Sequence, residues 1–311
     1  MLIEVIRGRA PREWLRKGRF TPIDQDRPAA RKAHMRLKKA LSGWLKEKAE
    51  DVADQLARLL DLIEKAKRKP GGDPVAIATA AQRAADVLEQ LDMDDWTDLI
   101  VVAQPLLEDM AREGSRSALE QIGFSADAKV EALLEGKTTD WAAQRSAELV
   151  GRRRLDDGTL VENPNAVWRI DASTREQLRS LTEDALAEGW SADELKAAVR
   201  ESGAFSASRA ETIARTEIAH ADMAGAMAGY RASGVVRGKV WSTAADDRVS
   251  DECQACADAG EIGLGDLFPG DVDAPPLHPR CRCSVLPVLE GEPAEHSDSK
   301  QSPTKEAQHG Q

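Results

Sequence analysis

The sequence predicts a mainly α protein with a small α+β domain near its C-terminus, in which a helical N-terminal half precedes short strands and a cross-linked loop. Three observations carry that prediction. Aromatic residues make up only 4% of the 311 residues, with one Tyr and four Phe, which disfavours a β-sandwich built from aromatic and β-branched strands. Apolar residues through the first two thirds recur at steps of three, four and seven, the helical period. Strand character begins only after Gly234, and all four cysteines fall between positions 253 and 283.

Taken in order, residues 1–28 hold Pro11, Pro22 and Pro28 with few apolar anchors and read as an extended arm. From Ala29 to Lys69, Leu37, Leu41, Trp44, Leu45, Val52, Leu56, Leu59, Leu60 and Ile63 share one helix face, until Pro70-Gly71-Gly72 stops it. That face serves either packing within the chain or an oligomer or partner contact. Further helices are expected at about 75–91, 95–122 and 138–153, the second kinked by Pro105 unless that residue lies near its start. Together 29–155 form a helical region. The stretch from Asp156 to Asn165 is rich in turn residues and marks a domain boundary.

Beyond it, Ser173 with Glu176 and Ser191 with Glu194 each have capping-box spacing and predict helices at 173–187 and 192–201. Ser206 to Ala232 is alanine-rich, with small residues that allow backbones to approach closely, and Ser233-Gly234 is a fitting stop. Val235-Val236 with Lys239 to Thr243, and Cys283 to Leu289, read as strands. They enclose a Gly/Asp/Pro-rich loop, 257–277, long enough to need a constraint of its own. The second domain is therefore 170–289, and the polar residues 290–311 read as a disordered tail.

Charge is unevenly placed. Residues 1–50 carry 14 Lys/Arg against 6 Asp/Glu, a net of +8, within a chain whose net charge is −11. A basic head of that size can neutralise nucleic-acid phosphates or dock on an acidic protein surface. A mean hydropathy of −0.46 and the absence of an 18-residue apolar run exclude a transmembrane helix. The N-terminus MLIEVIRGRAPREW lacks the apolar core of a secretory signal. The expected compartment is a reducing cytoplasm, where clustered thiols mean metal more often than disulfide.

The cysteines have metal-ligand spacing. Cys253-x-x-Cys256 precedes the loop and His278-Pro279-Arg280-Cys281-Arg282-Cys283 follows it. Tetrahedral zinc takes four sulfur or imidazole donors at about 2.0–2.3 Å, and five candidates are present. Cys253, Cys256, His278 and Cys281 form the most economical set, with Cys283 able to replace His278. Four protein ligands leave no place for a reactive water, so such a zinc is structural. A deaminase reading fails on its spacing residues, because His220-Ala221-Asp222 offers Asp where Glu is needed and Glu252 stands where proline should precede the CxxC. No P-loop, G-x-S-x-G or H-E-x-x-H occurs. Around the cysteines, Arg215, Glu217, Asp246, Asp247 and Arg248 read either as solvated charges or as a buried network fastening helix to strand. Arg215 and Glu217, two apart, face different sides of a helix and need other partners.

The run Ser208-Arg209-Ala210-Glu211-Thr212-Ile213-Ala214-Arg215-Thr216-Glu217, then Trp241, Asp246-Asp247-Arg248-Val249, Cys253-x-x-Cys256 and Pro275-Pro276-Leu277-His278-Pro279-Arg280-Cys281-Arg282-Cys283 resembles the head-morphogenesis domain of bacteriophage Mu F-like minor head proteins. The resemblance covers about 175–289. It implies a non-enzymatic phage or prophage protein that works with the portal protein and with the major capsid or scaffolding protein during head assembly. It also implies a location in the virion head, or in the host bacterial cytoplasm during assembly, with 29–155 as an assembly domain. Relatives are not uniform after Val249, so the resemblance does not itself imply zinc. Two rival readings accompany it. Mu F-like domains also occur joined to toxins, and an ADP-ribosyltransferase would find loose counterparts of its elements in Arg215, Ser242-Thr243 and Glu290-Gly291-Glu292. Alternatively, the basic arm binds packaged DNA.

Overall fold

The computed structural model describes residues 24–67 and 80–291. Most of the basic arm, the Pro70-Gly71-Gly72 stop and residues 292–311 of the tail lie outside the described residues.

Helix α1 (Pro28–Lys67) opens on Pro28, whose missing N–H is not needed in a first turn. Its stripe of Leu37, Leu41, Trp44, Leu45, Val52, Leu56 and Leu60 is buried and is used inside the chain. It packs on α6 (Ala192–Glu201) and α7 (Ala207–Ser233). Trp44 meets the buried Trp96 edge to face at 5.1 Å and donates to Asp98 at 2.7 Å, so a polar handle is satisfied at the rim of an apolar core. Helix α2 (Ala80–Glu89) packs on α5 (Ile170–Glu188).

Helix α3 (Asp98–Gln121) runs through Pro105, and its contact with α7 is the most extensive between two elements. The small residues explain how. A Cβ on Gly225 would lie 1.8 Å from the Ala111 carbonyl oxygen, and one on Gly114 would lie 2.1 Å from that of Asp222. The two backbones touch, a closeness that only glycine at the crossing permits.

Helix α4 (Ala128–Glu148) begins ten residues before the expected 138, because Asp127 caps it by accepting from the amides of Lys129 and Val130. The turn-rich stretch after it is a hairpin, β1 (Arg152–Arg154) with β2 (Leu160–Glu162), turning at Gly158 with φ of 87°. The Ser191–Glu194 capping box forms as expected. The Ser173–Glu176 box does not. Helix α5 starts at Ile170, so Ser173 lies inside its first turn and donates back to the carbonyls of Arg169 and Ile170, the alternative use of a helical serine hydroxyl.

After Gly234 ends α7 with φ of 65°, strand β3 (Val236–Ser242) becomes the centre of a three-stranded antiparallel sheet. β4 (Glu261–Gly263) lies on one side and β5 (Ser284–Leu289) on the other. Val240 pairs with Leu286 and Ser242 with Ser284. Between β3 and β4 sits α8 (Asp251–Asp258). The expected 257–277 loop thus holds the end of α8, β4 and a Phe268–Val272 bridge that buries Phe268 beneath Trp241.

One apolar core runs from Ala30 to Ala221 and a second from Ala118 to Leu289. Helix α7 contributes to both. The four cysteines belong to the second, which puts the candidate site under the sheet and against α7.

Candidate metal centre

Ser250 caps α8 by accepting from the Cys253 amide, so Cys253 and Cys256 lie one turn apart at the start of a short helix. The returning chain brings in the other donors. It is fastened by Arg280, whose amide donates to Thr216 at 3.0 Å and whose Nε donates to Thr212 at 2.9 Å. Both threonines belong to α7, so the I-A-R-T-E helix is the seat of the H-P-R-C-R-C segment. Arg280 adopts φ of 60°, a left-handed turn between His278 and Cys281.

All four cysteines are buried and none forms a disulfide. The donor atoms of Cys253, His278 and Cys281 lie within 4.8 Å of one another, with the two sulfurs 3.7 Å apart. These three side chains can hold a metal ion. His278 Nδ1 lies 2.9 Å from the Pro279 carbonyl oxygen, and with the proton on Nδ1 it donates there and leaves Nε2 free to ligate. Cys256 and Cys283 are buried beside this triple but outside its mutual spacing. The Cys256 sulfur lies 3.4 Å from the Pro269 carbonyl oxygen.

The thiols are electrically linked. Cys281 is held below the ordinary thiol range because the Cys283 thiol donates to it, and Cys283 is pushed up in return. Burial pushes Cys253 and Cys256 up. One thiolate stabilised by neighbouring S–H groups is the state expected of a soft-donor cluster before a cation displaces the remaining protons.

The five charged residues singled out in the sequence do not form one network. Glu217 is buried in α7 and pairs with Arg145 of α4 through two hydrogen bonds of 2.8 Å, both side chains being 2% exposed. Burial pushes the Glu217 carboxyl up, but the guanidinium outweighs it and holds the carboxyl below its usual range. Arg145 also reaches Glu148 at 3.1 Å and lies over the Trp168 ring at 5.6 Å. Next to this pair His220 is held neutral by burial and by Arg145, its pKa down at about 4. Asp246 takes two 2.6 Å hydrogen bonds from Arg282 and two from Arg248, one from its amide at 3.1 Å and one from its guanidinium at 3.2 Å. That clamp ties the end of β3 to the residue between Cys281 and Cys283. Arg215 and Asp247 are exposed.

Three supporting residues and one pairing escaped sequence reasoning. Arg145 is 72 positions from Glu217 and nothing local marks it. Arg282 and its partner Asp246 both stood inside the motifs, but their pairing was not visible. Lys239, buried in β3, donates to Asp273 at 2.5 Å and pins the loop from below. Arg27, just before α1, makes a bidentate pair with the buried Asp222 at 2.6 and 2.7 Å.

A family model described as phage Mu protein F like protein matches residues 176–286. The similarity covers about a third of the chain, the Mu F-like segment 176–286. The match runs from the first half of α5 into β5 and so includes Glu217, Asp246, His278 and all four cysteines, while Arg27 and Arg145 lie outside it. The Mu F-like segment therefore takes two of its buried ion-pair partners from a turn and a helix that precede it. The match supports a role in phage head morphogenesis. No curated protein and no solved structure compared with the chain gives a match. Among the described residues no helix is long and apolar enough to cross a membrane.

Proposed function

We propose that the protein is a non-enzymatic minor head protein that associates with the portal protein and with the major capsid or scaffolding protein during phage head assembly. It would act in the host cytoplasm and remain in the virion head, with residues 29–155 and 170–289 as its working units. The observation that carries this reading is the Mu F-like match over 176–286. The charged side chains of the domain favour it, because they are spent on packing: Glu217 on Arg145, Asp246 on Arg282 and Asp273 on Lys239.

Strand register weighs against the transferase reading. Ser242 pairs with Ser284 at one end of the sheet, while Leu289 pairs with Val236 at the other. Glu290 is thus separated from Ser242-Thr243 by the length of β3, about 20 Å at the usual rise per residue. A nucleotide-binding cleft needs those elements side by side. Quantitative mass spectrometry of purified particles tests the assembly role. A low, fixed ratio of this chain to portal is the expected result; its absence from particles overturns the reading.

Within the same proposal the Mu F-like domain is stapled by zinc on Cys253, Cys256, His278 and Cys281, with Cys283 as the alternative ligand. The convergence of Cys253, His278 and Cys281 supports it. Sulfur and imidazole donors suit zinc better than calcium or magnesium, which take oxygen. Elemental analysis of the purified chain should give one zinc per chain, and Cys281→Ser should lose it. DNA binding through the basic arm is the alternative partner, and its signature is affinity that falls steeply with salt.

A further inference from the structure

Cys253 and Cys281 stand 28 positions apart in sequence, yet their Sγ atoms lie 3.7 Å from one another, with the residues 1% and 2% exposed. Each side is held. Ser250 fixes the first turn of α8 through the Cys253 amide at 3.2 Å, and Arg280 seats the returning chain on Thr212 and Thr216 of α7. Closing to an S–S bond asks each sulfur to move by less than ~1 Å, the reach of small side-chain rotations. The other two cysteines are placed worse. The Cys256 sulfur is turned to the Pro269 carbonyl at 3.4 Å. Cys281 and Cys283 are separated by Arg282 alone, and a bridge between them would have to bend a backbone already held at two points. Arg282 is fixed on Asp246, and the Cys283 carbonyl accepts from Gln25 Nε2 at 2.7 Å.

We propose that Cys253 and Cys281 are a redox pair that closes to a disulfide in the metal-free chain, with hydrogen peroxide as the oxidant, so that the cysteine corner has two exchangeable staples. The exchange with metal rests on the zinc reading above; the cross-link itself does not. One sulfur of the pair attacks a peroxide oxygen, the O–O bond breaks, and a sulfenic acid forms as a first water leaves with the thiol proton. The second sulfur attacks the sulfenic sulfur, the S–S bond forms, the S–O bond breaks, and a second water leaves with the remaining thiol proton. Two thiols are oxidised by two electrons and one peroxide is reduced to two waters. Sulfurs this covered are out of reach of a protein disulfide, which selects a small oxidant, and half-buried His278 is the least covered member of the triple. A sulfur in a disulfide has no thiolate to offer a metal, so the two states exclude each other. Either one ties α8 to the corner seated on α7. Under the assembly reading, zinc serves in the reducing cytoplasm and the disulfide in the oxidising surroundings of a released particle.

The test strips the full-length chain with a strong chelator, treats it with an equimolar amount of hydrogen peroxide, then alkylates, digests and maps the peptides by mass spectrometry. The expected result is one cross-link joining the Cys253 and Cys281 peptides, reversed by dithiothreitol, with two of the four free thiols lost and Cys256 and Cys283 still alkylated. Cys256→Ser should form the same cross-link and Cys281→Ser should form none. Four thiols still free after peroxide, a different pairing, or oxidation of single cysteines to sulfinic acid overturns the proposal. Protease reads the consequence: the cross-linked, metal-free chain should resist cleavage at 264–280 and lose that resistance on reduction. Equal cleavage of the cross-linked and reduced chains overturns the exchange of staples. A chain that takes up no zinc removes the zinc reading and leaves the redox pair decided by the cross-link, which is sought without metal.

Discussion

The two cores of this protein are held by different physics, although helix α7 belongs to both. In the first, α1, α3, α5, α6 and α7 bury long apolar stripes, and stability grows with the area removed from water. In the second, a three-stranded sheet whose outer strand β4 has three residues covers a pocket of four thiols, an imidazole and a set of charge clamps. So little sheet cannot order a 41-residue stretch between β3 and β5 by apolar burial alone. Cross-links do that work, and the Mu F-like domain is the part of the chain where they concentrate. The helical core tolerates the loss of an exposed polar contact, and the small core tolerates it poorly.

The sharpest test of this contrast is the pair that bridges α4 to α7. Arg145→Met alone strands the Glu217 carboxylate in a site with no water, and should cost about 3–5 kcal/mol by chemical denaturation. Arg145→Met combined with Glu217→Leu leaves apolar groups of similar size and should recover most of that loss. If the double variant is as unstable as the single one, the pair supplies more than charge compensation, and the division between an apolar core and a cross-linked one is too simple.

The helices of the first core were legible because a 3.6-residue period survives in sequence whatever surrounds it. Leu37 to Leu60 on α1 and the alanine-rich run of α7 are examples, as are β3 and β5 with their flanking turns. Residues 128–137 were not legible: Glu131, Glu135 and Lys137 interrupt the stripe, and the start of α4 depends on the single cap Asp127. The Ser173 box failed for a similar reason, since cap spacing is short-range and cannot show that a helix begins three residues earlier. At the site, the spacing of Cys253, Cys256, His278 and Cys281 announced soft donors. Their supports, Arg145, Lys239, Arg27 and Gln25, are joined to the site only by the fold, across 34 to 258 positions of sequence.

Second in size is the crossing of α3 on α7. Gly225→Ala puts a methyl against the Ala111 carbonyl, and the two helices must separate, at a cost of about 1–3 kcal/mol typical of overpacking. A thermal melt reads it, and an unchanged midpoint would mean the backbones are not in contact there. Because α7 is shared, this variant should also raise hydrogen exchange in the cysteine corner, whereas Cys281→Ser should not raise it in α1. That asymmetry sharpens the comparison: damage passes from the large core to the small one and not back.

The proposed zinc comes next. Treating the chain with a chelator strong enough to strip zinc should open the 264–283 segment to protease while the far-ultraviolet circular dichroism of the helices persists. Cys256→Ser and Cys281→Ser should behave like the stripped chain, and Cys283→Ser should be milder. Equal cleavage in all three, with or without metal, would break the ligand assignment, since it would leave no difference between ligand and neighbour.

The smallest effect belongs to Asp246. Hydrogen bonds from Arg282 are the largest cause that holds its carboxyl below the ordinary range, although the group is exposed to water. A carboxylate whose folded pKa is depressed adds stability above its unfolded pKa, near 4 for aspartate, and that stability disappears as pH falls through the folded value. The wild-type chain should therefore exceed Asp246→Asn slightly in thermal midpoint at pH 7, and the gap should close only in strong acid, below the unfolded pKa. Exposure and salt screening keep the gap small. Its place matters more than its size: the clamp spans β3 and the cysteine corner, so the variant should change proteolysis at 278–283 before it changes the global melt. A shift in the melt with no local change would put Asp246 in the large core's account and would dissolve the distinction between the two regions at this position.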